Sequence, residues 1–248
     1  MNEFGLDDFE VAGPVQRRSM RDEVYKLLYK RILAGKYIPG EWLRQEEIAS
    51  LLGVSQTPVR EALDQLVATG FAERVPFRGV RVLQLTNDEI ADAYVLRILL
   101  ESVAARLAAQ NITNEQLIAL FDVLDGTHKL HALEDMPAQR QLNKQFHGLI
   151  VAASGNSLLT KLYETVSNTF PDWMLYEYMF RHPELLQSSL ENEFQEHKAI
   201  AEALAAQDEN LAAQKVIKHI RTLGKEFENF LDIPGEIFIK REQQIGPM

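Results

Sequence analysis

The chain has 248 residues, enough for one large domain or two small ones, and 46% are hydrophobic, which suffices for packed cores. It has no cysteine, which excludes disulfides, zinc ribbons and thiol catalysis; it has no apolar run of the ~20 residues a membrane span needs, and its acidic start MNEFGLDDFEVAG lacks a secretory pattern, so a cytoplasmic protein is expected. The net charge of −10 argues against a nucleic-acid partner only until it is divided: residues 15–85 carry 12 Lys and Arg against 8 Asp and Glu, whereas residues 86–248 carry 14 against 24. A basic first third beside an acidic remainder fits a DNA-binding module joined to a domain that faces away from the duplex.

Residues 1–15 read as a mobile acidic tail, and Arg17, Arg18 and Arg21 as a basic linker that either grazes phosphates or is simply solvated. Met20 to Ala34 is predicted helical, with Val24, Leu27, Leu28, Ile32 and Leu33 on the apolar face. Trp42 is expected to pack just before a short amphipathic helix, Gln45 to Leu52. Gly53-Val54 makes a tight turn, Ser55 stands where an N-cap belongs, and Pro58 falls in the first turn of the next helix, where its missing N–H costs little. Val59, Ala62, Leu63, Leu66 and Val67 form that helix's apolar face. Gln56, Thr57, Arg60 and Glu61 fall mostly on the other side, near its start, where recognition helices carry their base-reading side chains. Gln and Arg can bond adenine and guanine bidentately, and Thr can bond a base or meet a thymine methyl.

Thr69-Gly70 ends the helix, and the alternating stretches Phe71–Val75 and Val80–Leu85 predict two strands joined by Pro76-Phe77-Arg78-Gly79. Three helices and a two-stranded wing make residues 16–85 a winged helix-turn-helix. Arg44, Ser55, Gln56, Thr57 and Arg60 are the expected base or phosphate contacts, and Arg78 and Gly79 the wing contact.

Leu85-Thr86-Asn87 marks a boundary, and Thr86 with Glu89 forms a capping box that opens a helix to about Ala109. Further helices are predicted near 113–131, 136–153, 156–169, 171–180, 184–206 and 208–231. The fold class is therefore mainly α: a winged helix-turn-helix followed, over 86–233, by an all-helical antiparallel bundle, a type that builds ligand sites from facing helices. Residues 234–248 show little periodicity and are expected to be a loosely held tail.

Three of the six histidines, His147, His197 and His219, stand mid-helix in three different predicted helices, and Asn143 shares a helical face with His147. Three imidazoles and an amide oxygen suit Zn, Ni or Mn, with positions left for water or a ligand carboxylate. Histidines so placed also cap, pair or half-bury without metal. His128 and His131 read as solvated, His182 as a loop residue, and Trp173, Tyr176 and Phe180 as core or pocket lining. Arg97 can hold a carboxylate ligand, or Glu101, four residues on, can neutralise it. Glu193 and Glu196 read as the solvated face of their helix.

The run LGVSQTPVREAL, with LRQEEIA upstream and GFAERVPFRGVRV downstream, resembles the DNA-binding domain of the GntR superfamily of bacterial transcription regulators. The family commonly has Arg where this chain has Gln56. The helical part is similar to the FadR C-terminal type, FCD. That resemblance implies a metal site of an Asp four residues before a His, with two later His; the matching segments LNKQFHGLI, EHKAIAEAL and KHIRTL supply Asn143 and His147, then His197, then His219. Asn143 departs from the pattern, keeping an oxygen donor but losing a charge. The similar segment YVLRILLESVAARLA puts Arg97 in the effector pocket. The resemblance further implies a homodimer on a near-palindromic DNA operator and a small organic acid as effector. An acyl-CoA sensor without metal, or a metal-dependent hydrolase with an accessory DNA module, are the competing readings.

Overall fold

The computed structural model describes residues 19–169 and 173–246; the acidic tail expected over 1–15 lies outside them. The first helix, α1 (Met20–Leu33), is capped by the Ser19 hydroxyl, which accepts from the Asp22 N–H. Its buried face is Val24, Leu28, Tyr29, Ile32 and Leu33; Leu27, expected there, is exposed, and Tyr29 takes the inward position. Helix α2 (Gln45–Leu52) ends at Gly53, whose φ of 65° is the left-handed conformation that glycine adopts without strain. Helix α3 (Gln56–Ala68) then packs Val59, Ala62, Leu63 and Leu66 toward α1. Ser55 occupies the N-cap, but its side chain makes no capping hydrogen bond.

The wing is an antiparallel pair, β1 (Ala72–Val75) and β2 (Gly79–Val82), with Ala72 opposite Val82 and Val75 opposite Gly79. It is shorter than the alternation predicted. Phe71 packs edge-on against Tyr29, at 4.8 Å between ring centroids, and beyond Val82 one more backbone bond, from the Leu83 N–H to the Phe71 carbonyl at 3.0 Å, closes the pairing outside the strands proper. An isolated bridge from Trp42 to Arg81 ties the wing to the segment before α2.

The bundle is built around α4 (Asn87–Asn111), opened by the predicted Thr86–Glu89 capping box. Ile90, Tyr94, Ile98, Ala104, Ala105 and Ala108 are all buried, so α4 is enclosed on several sides. Around it stand α5 (Asn114–Thr127), α6 (Met136–Ala153), α7 (Ser157–Thr169), α8 (Trp173–Arg181), α9 (Pro183–Ala205) and α10 (Glu209–Leu231). Helix α10 lies along α4. Gly224 permits the close approach: a Cβ there would sit 2.8 Å from the Tyr94 ring.

The expected loose tail is instead a helix, α11 (Gly235–Ile245), docked on α4. Phe238 is buried against Tyr94, whose hydroxyl donates to Glu242; Arg221 also donates to Glu242, and Arg241 to Asp88 and Asp92. One buried side chain in this helix gives no periodic signal. What docks it are apolar contacts of Phe238, Ile237 and Ile245 with the core and polar pairs, all to residues far away in the sequence.

The winged head and the bundle touch directly. Arg140 on α6 donates from Nη1 to the carbonyl of Thr69 at 2.9 Å, and its guanidinium lies 4.5 Å from the centre of the Phe71 ring. Thr69 is the C-cap of α3. The contact therefore ties the end of the proposed recognition helix to the bundle.

Candidate DNA-binding surface and metal-binding site

On the head, Gln56, Thr57 and Arg60 are exposed at the start of α3, because the buried face is occupied by Val59, Ala62 and Leu63. Arg44, Gln56, Arg60, Arg78 and Gly79 line one groove between α3 and the wing. Ser55 and Thr57 border an adjoining recess that Ser19 and Arg21 also line. Gln45 donates to the Gln56 side-chain carbonyl at 3.1 Å, joining α2 to α3. Arg44 is within 3.5 Å of Glu47, but both are so exposed that the pair holds it only weakly. The groove also includes Arg74, paired with Asp64, which sequence reasoning passed over. At the wing tip Phe77 has a left-handed φ of 62° and a fully exposed side chain, and Gly79 follows at φ 116°.

Inside the bundle, α6, α9 and α10 bring His147, His197 and His219 together, their ligating nitrogens all within 4.8 Å of one another. All three are buried. The His147 Nδ1 lies 2.7 Å from Glu101 Oε2, and Glu101 Oε1 accepts from Arg97 Nε at 2.6 Å. The His219 Nδ1 lies 2.9 Å from Glu196 Oε2, and Glu196 Oε1 accepts from the Thr222 hydroxyl at 2.7 Å. A carboxylate behind Nδ1 fixes the proton there and leaves Nε2 with a lone pair. For His147 that Nε2 is buried and has no hydrogen-bond partner among the described residues. The Nε2 atoms of His197 and His219 face each other at 3.3 Å, and the His197 ring stacks on Phe146.

Burial keeps His147 and His197 neutral. Burial lowers the pKa of His147, outweighing the pull of Glu101; burial and the neighbouring imidazoles push His197 well below its ordinary value. Burial would raise Glu101, but Arg97 and His147 together hold it well below the usual carboxylate range. Neutral imidazoles and ionised carboxylates are the forms in which these groups bind or support a cation. A buried Nε2 without a partner among the described residues, beside the facing Nε2 atoms of His197 and His219, fits a divalent metal better than it fits a packed core, where a buried polar atom without a partner is costly.

The remaining candidates resolve differently. Asn143 lines the same cavity as His147, His219 and Arg97, and its Nδ2 donates to Glu193. Arg97 lines the cavity and is paired with Glu101. Glu193 and Glu196, read as a solvated face, are instead half-buried and engaged in the site; their positions four and one residues before His197 were the available signal. His128 and His131 are exposed, and His128 lies over Phe194. Tyr176 is buried and lines the cavity, while the Trp173 and Phe180 side chains lie outside the described residues. The cavity, of about 140 Å³, extends from Arg97 and His147 to Tyr25, Tyr29, Thr69 and Phe71 of the head.

The profile "Bacterial regulatory proteins, gntR family" matches residues 20–82, and "FCD domain" matches residues 92–222. The chain belongs to the GntR family, with an FCD domain. It is similar to the HTH-type transcriptional regulator YdhC of Bacillus subtilis (strain 168), 30% identical over 216 residues that cover 86% of this chain and 92% of that protein. It is similar also to the HTH-type transcriptional repressor GlaR of Escherichia coli (strain K12), at 28% identity over 80% of this chain and 91% of that protein. The solved structure of E. coli McbR/YncC matches with a TM-score of 0.61 at 22% identity, over 86% of this chain and 99% of that one, a likeness of fold. This GntR-family chain is thus a DNA-binding transcription regulator with an effector-binding helical domain, not an enzyme. Among its described residues no helix is long and apolar enough to cross a membrane.

Proposed function

We propose that this regulator is a cytoplasmic homodimeric repressor whose FCD domain holds a divalent metal (Zn, Ni or Mn) on His147, His197, His219 and Asn143, and whose effector is a small organic acid. The observation that carries the metal reading is the convergence of three buried imidazoles, two of them backed by carboxylates, around an Nε2 that has no partner among the described residues. Bound there, the metal would supply a Lewis-acidic position for an effector carboxylate, and Arg97 would add a guanidinium donor beside it. That donor set favours the metal reading over a metal-free acyl-CoA sensor.

On the head, Arg44, Ser55, Gln56, Thr57 and Arg60 would contact bases or phosphates and Arg78 and Gly79 the backbone at the wing. Two copies would then meet successive major grooves of a near-palindromic operator. The cavity borders both the His centre and the head, which supports a response in which effector binding changes the seating of the head on the bundle. Such a response requires the effector to bind the two arrangements with different affinity.

The test is selection of fragmented genomic DNA on purified protein, with and without added metal, alongside elemental analysis of the protein as purified. Enrichment of a short inverted repeat and about one metal ion per chain are expected. A protein that selects no repeat at low salt overturns the operator reading. Metal-free protein that responds fully to its effector overturns the metal reading.

A further inference from the structure

Two of the three imidazoles have a carboxylate directly behind them, Glu101 for His147 and Glu196 for His219. The same arrangement recurs at the fourth donor. The Asn143 amide nitrogen donates to Glu193 Oε1. An ionised carboxylate only accepts, so the amide must turn its NH₂ toward Glu193, which leaves Oδ1 on the opposite side of the amide. Asn143 precedes His147 by four residues on α6, and Glu193 precedes His197 by four on α9, so each shares a helical face with a ligating imidazole. Both line the cavity that His147 and His219 also line. The Glu193 carboxylate does not belong to the group of three imidazole nitrogens; it touches the Asn143 amide.

We propose that Glu193 is the positioning residue that makes Asn143 a metal donor: it fixes the amide with Oδ1 free for the ion and brings, one hydrogen bond away, the negative charge that an amide lacks. This rests on the metal reading above. It explains how a site with Asn at this position keeps an anionic group without a carboxylate at residue 143. Hydrogen bonds from a ligand to a carboxylate behind it raise the ligand's donor strength and hold its orientation, and removing such a group weakens metal binding by roughly 10–100-fold.

The experiment uses full-length protein stripped with a chelator, Zn²⁺ alone as the probe, and competition against a chromophoric chelator to give Kd. Co²⁺ absorption spectra report the donor set independently. Glu193→Gln is expected to weaken Zn²⁺ binding by roughly 10–100-fold. Adding Asn143→Asp to that variant, which puts a carboxylate directly at the fourth position, is expected to restore affinity to within a few-fold of wild type and to shift the Co²⁺ spectrum. In an Asn143→Ala background Glu193→Gln is expected to have no further effect, because the carboxylate acts through the amide. Wild-type affinity in Glu193→Gln overturns the proposal, and so does a loss that Asn143→Asp fails to rescue, since that would be loss of structure alone. If Glu193→Gln does not fold, the rescue variant and the Asn143→Ala pair decide by the same criteria. A wild-type protein that binds neither Zn²⁺, Ni²⁺ nor Mn²⁺ overturns the metal reading itself, and is distinguishable because every variant then behaves alike.

Discussion

The head and the His centre solve opposite problems. The head keeps its candidate DNA-contacting side chains at the surface: Gln56, Thr57, Arg60 and Arg78 are exposed and sit on a small core of Val59, Leu63, Leu66 and Phe71. The centre keeps its candidate ligands buried, with partners that make burial tolerable: Glu101 for His147, Glu196 for His219, Arg97 for Glu101. A surface site of this kind is specified locally, by helix faces and turns. A buried one is specified by which distant residues the fold brings together. The two are joined at Arg140, which reaches from the wall of the cavity to the end of α3.

The largest effect that would separate the two regions comes from the metal. With Zn²⁺ at a thousandfold excess over its Kd, binding to the folded state alone raises the unfolding free energy by about 4 kcal/mol. In His147→Ala that increment is expected to disappear, while operator binding by the effector-free head persists. Denaturant melts with and without Zn²⁺ check it. An equal increment in wild type and variant would mean the imidazoles are structural.

Arg60→Ala is the converse. Loss of a bidentate base contact costs about 1–3 kcal/mol of discrimination per half-site, and the Zn²⁺ increment is expected to be untouched. Gel-shift titrations against the selected repeat and a scrambled one measure the difference. Unchanged preference for the repeat removes Arg60 from the recognition surface.

The same division explains what the sequence made legible. The capping box at Thr86, the Gly53 turn and the apolar faces of α2 and α3 are short-range features, and they stand as read. The three histidines were legible because imidazole is scarce and their spacing put each on its own helix. Glu101 was legible as a partner for Arg97, four residues before it, but not as the carboxylate behind His147; Glu193 and Glu196 were not legible as site residues at all, because a Glu on a helix is solvated far more often than buried and only the crossing of α6, α9 and α10 turns these two inward. Helix α11 was missed for a related reason. It has one buried residue, Phe238, and its docking depends on Asp88, Asp92, Tyr94 and Arg221, which no local window contains.

Protonation gives a smaller and more graded separation. His147 and His197 have folded-state pKa values below the ordinary value of 6.5 because burial disfavours the imidazolium. The unfolded chain therefore binds more protons below that value, and stability is full above about pH 6.5 and falls as the pH drops, by up to about 1.4 kcal/mol per pH unit for each imidazole. Metal competes with the same protons, so holo-protein is expected to hold its stability to lower pH than apo-protein. Melts of both forms between pH 5 and pH 8, about the range where histidine ordinarily titrates, check the sign. Apo-protein that gains stability on acidification would contradict neutral, buried imidazoles.

The smallest expected effect is at the wing. Arg78 is exposed at a tip whose backbone is set by Phe77 and Gly79, both at positive φ, so truncating its side chain removes charge without removing packing. A phosphate contact is read through counterion release: Arg78→Ala is expected to weaken binding to every sequence alike and to reduce the slope of log K against log salt by about 1. Arg60→Ala, by contrast, should change the ratio between the repeat and its scrambled form. If Arg78→Ala instead alters that ratio, the wing reads sequence or groove width, and the division between a base-reading helix and a backbone-holding wing would have to be redrawn within the head itself.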